Sequence, residues 1–484
     1  MTHRWRNAAR VSFGLAILVL PACTGPARGP NVILIMADDL GQESIGCYGG
    51  TSHETPLLDK LASQGMRFTH CYSQPVCTPS RVKIMTGRSN ARNYREFGDL
   101  DPQEITFGHV MKQAGYKTCI AGKWQLCGGK GHEGSFPEPS GFDQSCMWAY
   151  DHDLPGDAAE KYTFFGKTPK KTSRYWNPAI VRNGEYVPTT TEDYGPDIYC
   201  QFILDFIEQN REDPFFVYYP MTLTHNPFVA TPLSEDQSEQ AKTKSSNRFF
   251  GDMVRYTGVL VDRINRKLDE LSIAENTVVL FTTDNGNYRS LVTQMGERTV
   301  LGGKGLPVDA GVHAPLIAYW KETIEAGSVC HDLVDFSDFL PTLAEVVKAD
   351  LPSGRTLDGR SFLPQLKGHV GNPRQGVVVH YDKNPSSRKP GFRRVRFAYD
   401  GRYKLYLDGR LYEVPADWTE AKPLATVDLS PEARAAREKL QGILDTMPKW
   451  EPDNSAFEGE SDPPMEEYQR KSRSLAKKNS DVAN

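Results

Sequence analysis
The run Asn31–Ala37, read NVILIMA, constrains this chain more than any other segment. It is apolar almost without interruption, and Val32, Ile33 and Ile35 are β-branched. A strand with one wet face alternates apolar and polar residues, so a continuous run fits a strand covered on both faces. Residues 214–220 (PFFVYYP) and Thr277–Thr283 (TVVLFTT) read the same way. Helical signals lie between them. Thr55-Pro56 opens a helix, with Thr55 as N-cap, Pro56 at the first helical position, Leu57, Leu58 and Leu61 on one face and Gly65 as stop. Residues 107–115 and 338–347 are also helical, and 253–271 place Val254, Val261, Ile264, Leu268 and Leu271 near helical spacing. Residues 67–72, 116–120 and 315–320 read as strands. This alternation predicts an α/β fold: a large mixed, mostly parallel sheet flanked by helices.

From about residue 371 the pattern changes. Val377–Tyr381, 394–399, Tyr403–Tyr406 and 410–414 are short alternating segments with Asp400-Gly401 and Asp408-Gly409 turns, predicting a smaller C-terminal antiparallel sheet. Ser430-Pro431 caps a helix running to about Met447. The expected division is 1–23 signal peptide, 24–30 linker, 31–370 catalytic domain, 371–450 C-terminal subdomain and 451–484 polar tail without fixed structure.

The N-terminus reads as an export signal. Arg4, Arg6 and Arg10 precede the apolar run 11–20, which is too short to span a bilayer. Leu20-Pro21-Ala22-Cys23 resembles a bacterial lipoprotein signal in which Cys23 is lipidated, and an ordinary cleaved signal is the alternative. Either places the protein in the periplasm or at the cell surface, the first with membrane attachment. Lys and Arg number 57 against 61 Asp and Glu, a net charge of −4, which argues against a nucleic-acid partner.

Two strands end in acidic groups. Asp38, Asp39, Asp284 and Asn285 are hard oxygen donors at the carboxyl ends of predicted neighbours, where ligands gather in such sheets. Converging carboxylates repel one another unless a cation sits between them, and calcium, ahead of magnesium, suits an all-oxygen set. Each pair alone also reads as an ordinary turn. A further feature is Cys77-Thr78-Pro79-Ser80-Arg81, followed by Met85-Thr86-Gly87. Pro79 at the first helical position puts Cys77 at a helix mouth, which makes a reactive-thiol or anion site; a buried structural cysteine is the alternative.

Cys-x-Pro-Ser-Arg with x-x-x-Met-Thr-Gly resembles the signature of the type I, formylglycine-dependent sulfatases of the alkaline phosphatase-like superfamily. Residues 31–39, Gly122-Lys123-Trp124-Gln125-Leu126, residues 281–286, Gly302-Gly303-Lys304-Gly305 and Leu357-Asp358-Gly359-Arg360-Ser361 are similar to further motifs of that family in the same order. The resemblance runs from about Asn31 to Val414 and implies an alkaline phosphatase-like fold. It implies that Cys77 is oxidised to formylglycine by a formylglycine-generating or anaerobic sulfatase-maturing enzyme. Asp38, Asp39, Asp284, Asn285 and the modified Cys77 then hold calcium (Ca2+). Arg81 stabilises the ionised nucleophile, Lys123, His225 and Lys304 bind sulfate, and His225 or Lys304 protonates the leaving alcohol. The expected activity is sulfuric ester hydrolysis on a sulfated polysaccharide or oligosaccharide. A phosphodiesterase or phosphonate hydrolase on the same fold is the alternative.

Gln125 departs from the family pattern, where histidine is common. An amide cannot serve as a general base, so the base for the elimination step is open, with His132, His152 and His313 as candidates. Trp124, Trp148, Tyr150, Tyr175 and Trp176 either stack on sugars or belong to the core. Arg174, Arg289, Arg298 and His313 are candidate glycan contacts, with solvated surface charge as the competing reading. Nine cysteines leave seven once Cys23 and Cys77 are set aside, so at least one of those is expected as a thiol in a monomer.

Overall fold
The structure is a computed structural model that describes residues 29–129, 132–149, 174–382, 394–449 and 463–482. The signal segment with Cys23, most of the linker, Tyr150 and His152 lie outside the described residues. Asn31–Ala37 forms β1, buried throughout. Its alternate side chains enter different cores. Ile33, Ile35 and Ala37 pack with Leu58, Phe202, Ile203, Val261 and Ile264. Val32, Leu34 and Met36 pack with Val82, Phe107, Val110, Phe339 and Leu343. Burying a side chain of this size stabilises by roughly 1.5–3 kcal/mol, which is why the unbroken apolar run forms a central strand.

The other strands of the main sheet are β2 (Met66–Tyr72), β3 (Lys117–Gly122), β4 (Gln144–Trp148), β5 (Ile180–Arg182), β6 (Glu185–Val187), β7 (Phe215–Pro220), β8 (Thr277–Thr283), β9 (His313–Tyr319) and β10 (Ser328–Asp335). The ten-stranded order is β10-β2-β9-β8-β1-β7-β3-β4-β5-β6. The central block β8-β1-β7-β3-β4 is parallel. On one side β9 runs antiparallel to both β8 and β2; on the other, β5 and β6 add antiparallel edges. One face is covered by α1 (Pro56–Gln64), α3 (Gly195–Gln209) and α4 (Phe250–Glu270), the other by α2 (Cys77–Thr86), the helix Phe107–Gln113 and α5 (Phe339–Val347).

The expected second sheet is present as β11 (Val377–Tyr381), β12 (Val395–Tyr399), β13 (Tyr403–Tyr406) and β14 (Leu411–Glu413), all antiparallel. One face packs on Tyr72, the last residue of β2, and on Val76 and Val312. The other is covered by Ala433, Ala436, Leu440 and Leu444 of α6 (Pro431–Asp445), whose cap is Ser430, as expected.

Several expectations are corrected. The tail is not without structure, because Pro463–Val482 forms helix α7 and buries Tyr468 against Val300, Leu301 and Leu306. Thr55 does not cap its helix through its side chain; the hydroxyl accepts from Gly46 N at 2.8 Å and donates to Asp59 instead. The helix after Val76 begins at Cys77 itself, which moves Pro79 to its third residue. No disulfide joins any of the eight described cysteines. Of the two readings for Trp124, Trp148, Tyr175 and Trp176, the core one holds: all four are buried. No helix among the described residues is long and apolar enough to cross a membrane.

Candidate active site
Register builds the site. Ala37 of β1 stands opposite Thr283 of β8, and Met36 stands opposite Pro220 of β7. The residues that follow each strand therefore emerge side by side, and backbone bonds continue the ladder: Asp284 N donates to Ala37 O, Met221 N to Met36 O, Asp38 N to Leu223 O and Lys123 N to Pro220 O. Asp38-Asp39, Asp284-Asn285, the His225 loop and Lys123 thus share one edge. Gly122, at φ +119°, precedes Lys123 because a Cβ there would lie 2.1 Å from Pro220 O. Asp39 sits at φ +62°, an uncommon region for a non-glycine residue, and its N–H donates to Asp284 Oδ1 at 3.2 Å.

The side chains interlock. Asn285 Nδ2 donates to Asp39 Oδ1 at 2.8 Å. Lys304 Nζ donates to Asp39 Oδ2 at 2.6 Å, and Lys123 Nζ donates to Asp38 Oδ2 at 2.8 Å. Arg81 donates to Asp284 Oδ2 at 2.9 Å and to Lys123 O at 3.0 Å. Cys77 Sγ lies 3.6 Å from Asp38 Oδ1. Two contacts fix the cysteine's helix beside the strands: Ser80 Oγ donates to Asp284 O at 2.5 Å, and Gly305 N donates to Pro75 O at 2.7 Å, tying in the Lys304 loop. Ligand-type atoms of Asp38, Asp39, Cys77 and His225 all lie within 4.8 Å of one another. Asp38, Asp39, Cys77, Arg81, Lys123, His225, Asp284, Asn285 and Lys304 are thus brought together.

Burial and charge oppose each other here. Burial raises the Asp38 carboxyl, but Lys123, with His225, Arg81 and Lys304, outweighs it and holds Asp38 well below the usual carboxylate range. Burial and the neighbouring Asp38 charge push Asp284 upward. Burial pushes the Cys77 thiol up to about 12, despite Lys123 and Lys304. Burial, then Lys304 and Arg174, hold His225 well below the usual histidine value, whereas Asp39 overrides burial to raise Lys304.

The Sulfatase family model matches residues 30–349. The chain belongs to the sulfatase family. It is 35% identical to arylsulfatase A of Homo sapiens over 384 residues, 75% of this chain and 73% of the human protein. Sulfatases are enzymes that hydrolyse sulfate esters, and this sulfatase shares its fold with solved structures of lower identity. One is BT4656, described in complex with its substrate D-glucosamine-2-N,6-O-disulfate; the TM-score is 0.67 at 19% identity, covering 90% of this chain and 100% of that one. Another is the phosphonate monoester hydrolase of Agrobacterium radiobacter, with TM-score 0.63 at 17% identity, covering 86% of this chain and 95% of that one.

For other residues the sequence left two readings open. Arg174 is not surface charge: its side chain is 11% exposed and reaches Asp38. Tyr175 donates to Thr222 O at 2.8 Å and to His225 O, which fixes the His225 loop. The signal for both is a cation set directly before a buried Tyr-Trp pair. Arg289 is exposed beside the Lys304 loop and donates to Lys304 O at 2.9 Å, while Arg298 bonds Pro415 O at 3.2 Å. His313 is excluded as a base by its contacts: Nδ1 faces Gln42 Nε2 and Asp309 Oδ2, and Nε2 faces Thr69 O. Gln125 is buried at φ +56°, two residues past Lys123. The side chain of His132 and all of His152 lie outside the described residues.

Proposed function
We propose that this sulfatase releases sulfate from an O-sulfated carbohydrate through a formylglycine made from Cys77 and a bound calcium ion. The observation that carries the reading is the convergence of Asp38, Asp39, Cys77 and His225 within 4.8 Å, walled by Lys123, Lys304 and Arg81. The metal fits the residues present. Asn285 Oδ1 is buried with no hydrogen-bond partner among the described residues, on a side chain bonded through Nδ2 to Asp39, one of three fully buried carboxylates there. Asp38, Asp39, Asp284, Asn285 and residue 77 would hold the ion, and an all-oxygen set favours calcium. When bound it supplies positive charge that lowers the pKa of the diol hydroxyl and offsets charge on a sulfate oxygen.

The chain's own groups divide the remaining work. A neutral buried thiol is a poor nucleophile; a formylglycine hydrate instead offers a hydroxyl. That hydroxyl attacks sulfur, the bond from sulfur to the ester oxygen breaks, and the alcohol departs with a proton. Lys123 and Lys304 donate to the sulfate oxygens. Lys304 is the group that carries a proton for the leaving alcohol. His225 Nδ1 lies 2.5 Å from Asn226 O, an acceptor, so Nδ1 holds the ring proton and Nε2 presents a lone pair. Nε2 is therefore suited to take the proton of the second diol hydroxyl as sulfate is eliminated and the aldehyde re-forms, the role that Gln125 cannot fill.

A cleft of about 520 Å³ opens beside Val76 and Lys304, lined also by Tyr288, Arg289, Tyr381 and Lys471. Tyrosines and cations together suit a sulfated sugar, the class bound in the glucosamine-disulfate complex. The N-terminal pattern supports export to the periplasm or cell surface, with lipid attachment at Cys23, and the Cys77 motif supports maturation by a formylglycine-generating or anaerobic sulfatase-maturing enzyme. The test is a panel of sulfated mono- and oligosaccharides, read by sulfate release, with phosphate diesters and phosphonate esters alongside. Sulfate release from one sugar position is expected. Turnover confined to the phosphorus esters would replace the reading with the hydrolase alternative.

A further inference from the structure
Arg174 takes no part in the steps above, yet it is built into the same pocket. Its guanidinium carbon lies 4.1 Å from the centre of the Trp148 ring, and Trp148 is the fully buried last residue of β4. A cation held over an indole face is fixed in plane and position. Nη1 stands 3.6 Å from Asp38 Oδ2, the oxygen that already accepts from Lys123 at 2.8 Å. That separation is longer than a hydrogen bond. Nη1 is nevertheless buried, with no hydrogen-bond acceptor among the described residues. A desolvated N–H of a cation left unpaired is costly, and it is retained where a ligand completes it. The pocket also carries four cations, Arg81, Lys123, Arg174 and Lys304, against the three carboxylates Asp38, Asp39 and Asp284. The surplus is positive, as an anionic substrate requires.

We infer that Arg174 is a further substrate-binding residue, whose unpaired guanidinium edge takes an oxygen of the transferring sulfate from the Asp38 side of the pocket, as Lys304 does from the Asp39 side. This rests on the sulfatase reading of the site. Trp148 serves as its platform, so the pair acts as one unit assembled from the end of β4 and the residue before Tyr175.

The test uses the mature, metal-loaded protein, a chromogenic aryl sulfate as substrate and inorganic sulfate as competitive inhibitor. Arg174→Gln should raise both KM and the inhibition constant for sulfate about 10- to 100-fold, the range of a charge-assisted hydrogen bond. Metal content and melting temperature should stay close to wild type. Arg174→Lys should recover part of the loss, because it keeps the charge but not the planar fork. A residue that merely supports Asp38 would alter metal content or melting temperature and leave the sulfate inhibition constant unmoved. An unchanged constant in the folded Arg174→Gln protein overturns the assignment. If that variant does not fold, Arg174→Lys decides by the same reading. Wild-type protein that neither turns over aryl sulfate nor binds sulfate would instead defeat the functional reading itself.

Discussion
Asn285 Nδ2 donates to Asp39 Oδ1 at 2.8 Å, across 246 positions of sequence. The bond exists because β1 and β8 run parallel in a register that ends both strands at the same height. The amide's oxygen, Oδ1, is buried with no hydrogen-bond partner among the described residues, and a cation would supply that partner.

Asp284→Asn tests that edge. The substitution keeps the volume but removes the charge that pairs with the buried Arg81. Sulfate release should fall by more than about 100-fold, a larger effect than losing an outer-shell partner of a metal ligand. Bound calcium, measured by elemental analysis, should fall with it. Full activity with unchanged calcium would remove Asp284 from the site.

Tyr175→Phe tests the positioning of His225. The phenol donates to Thr222 O and His225 O, so its loss frees the loop that aims the imidazole. Steady-state kinetics should show kcat/KM lowered about 5- to 10-fold, since a net hydrogen bond is worth about 1 kcal/mol. Circular dichroism should be unchanged.

Glu43 makes a prediction about pH. Burial, and then Asp309, raise its carboxyl from 4.5 to about 7. Between those values the folded chain holds a proton that the unfolded chain has lost, so stability falls as pH rises through that window. The penalty reaches about 3 kcal/mol above pH 7. Glu43→Gln should therefore match wild type in urea unfolding near pH 4.5 and exceed it at pH 8. Equal stability at pH 8 would count against the buried acid.

Tyr468→Ala tests the docking of α7. Tyr468 is buried against Val300, Leu301 and Leu306, and removing its ring should cost about 3 kcal/mol locally. Hydrogen exchange should rise in the hairpin Val292–Met295 and Arg298–Leu301. KM for a sulfated saccharide should rise more than kcat falls, because Glu467, Tyr468 and Lys471 line the cleft rather than the reacting centre. Unchanged exchange would show that the helix does not rest there.

The legible parts of the fold were those where burial is total. β8 is legible because residues 278–281 are an unbroken apolar run flanked by β-branched threonines and the whole strand is buried, and the Cys77 motif carries its neighbours by resemblance. Edge strands were not legible: β5 and β6 are three residues each, and their pairing rather than their composition makes them strands. The α7 segment is polar on average, and its few inward residues, Tyr468, Ser472 and Leu475, are too sparse to stand out. α3 carries its own signal in Tyr199, Phe202, Ile203 and Phe206, which are buried at helical spacing. For Arg174 the sequence leaves two readings open, because its placement depends on Trp148 and Asp38, which only the folded chain brings to it.

Mass spectrometry of the peptide containing Cys77, taken from active protein made in a host with a sulfatase-maturing enzyme, tests the central claim most directly. The account predicts an aldehyde at position 77 in proportion to specific activity, and loss of both in Cys77→Ala. A fully active protein whose residue 77 is an unmodified thiol would contradict it.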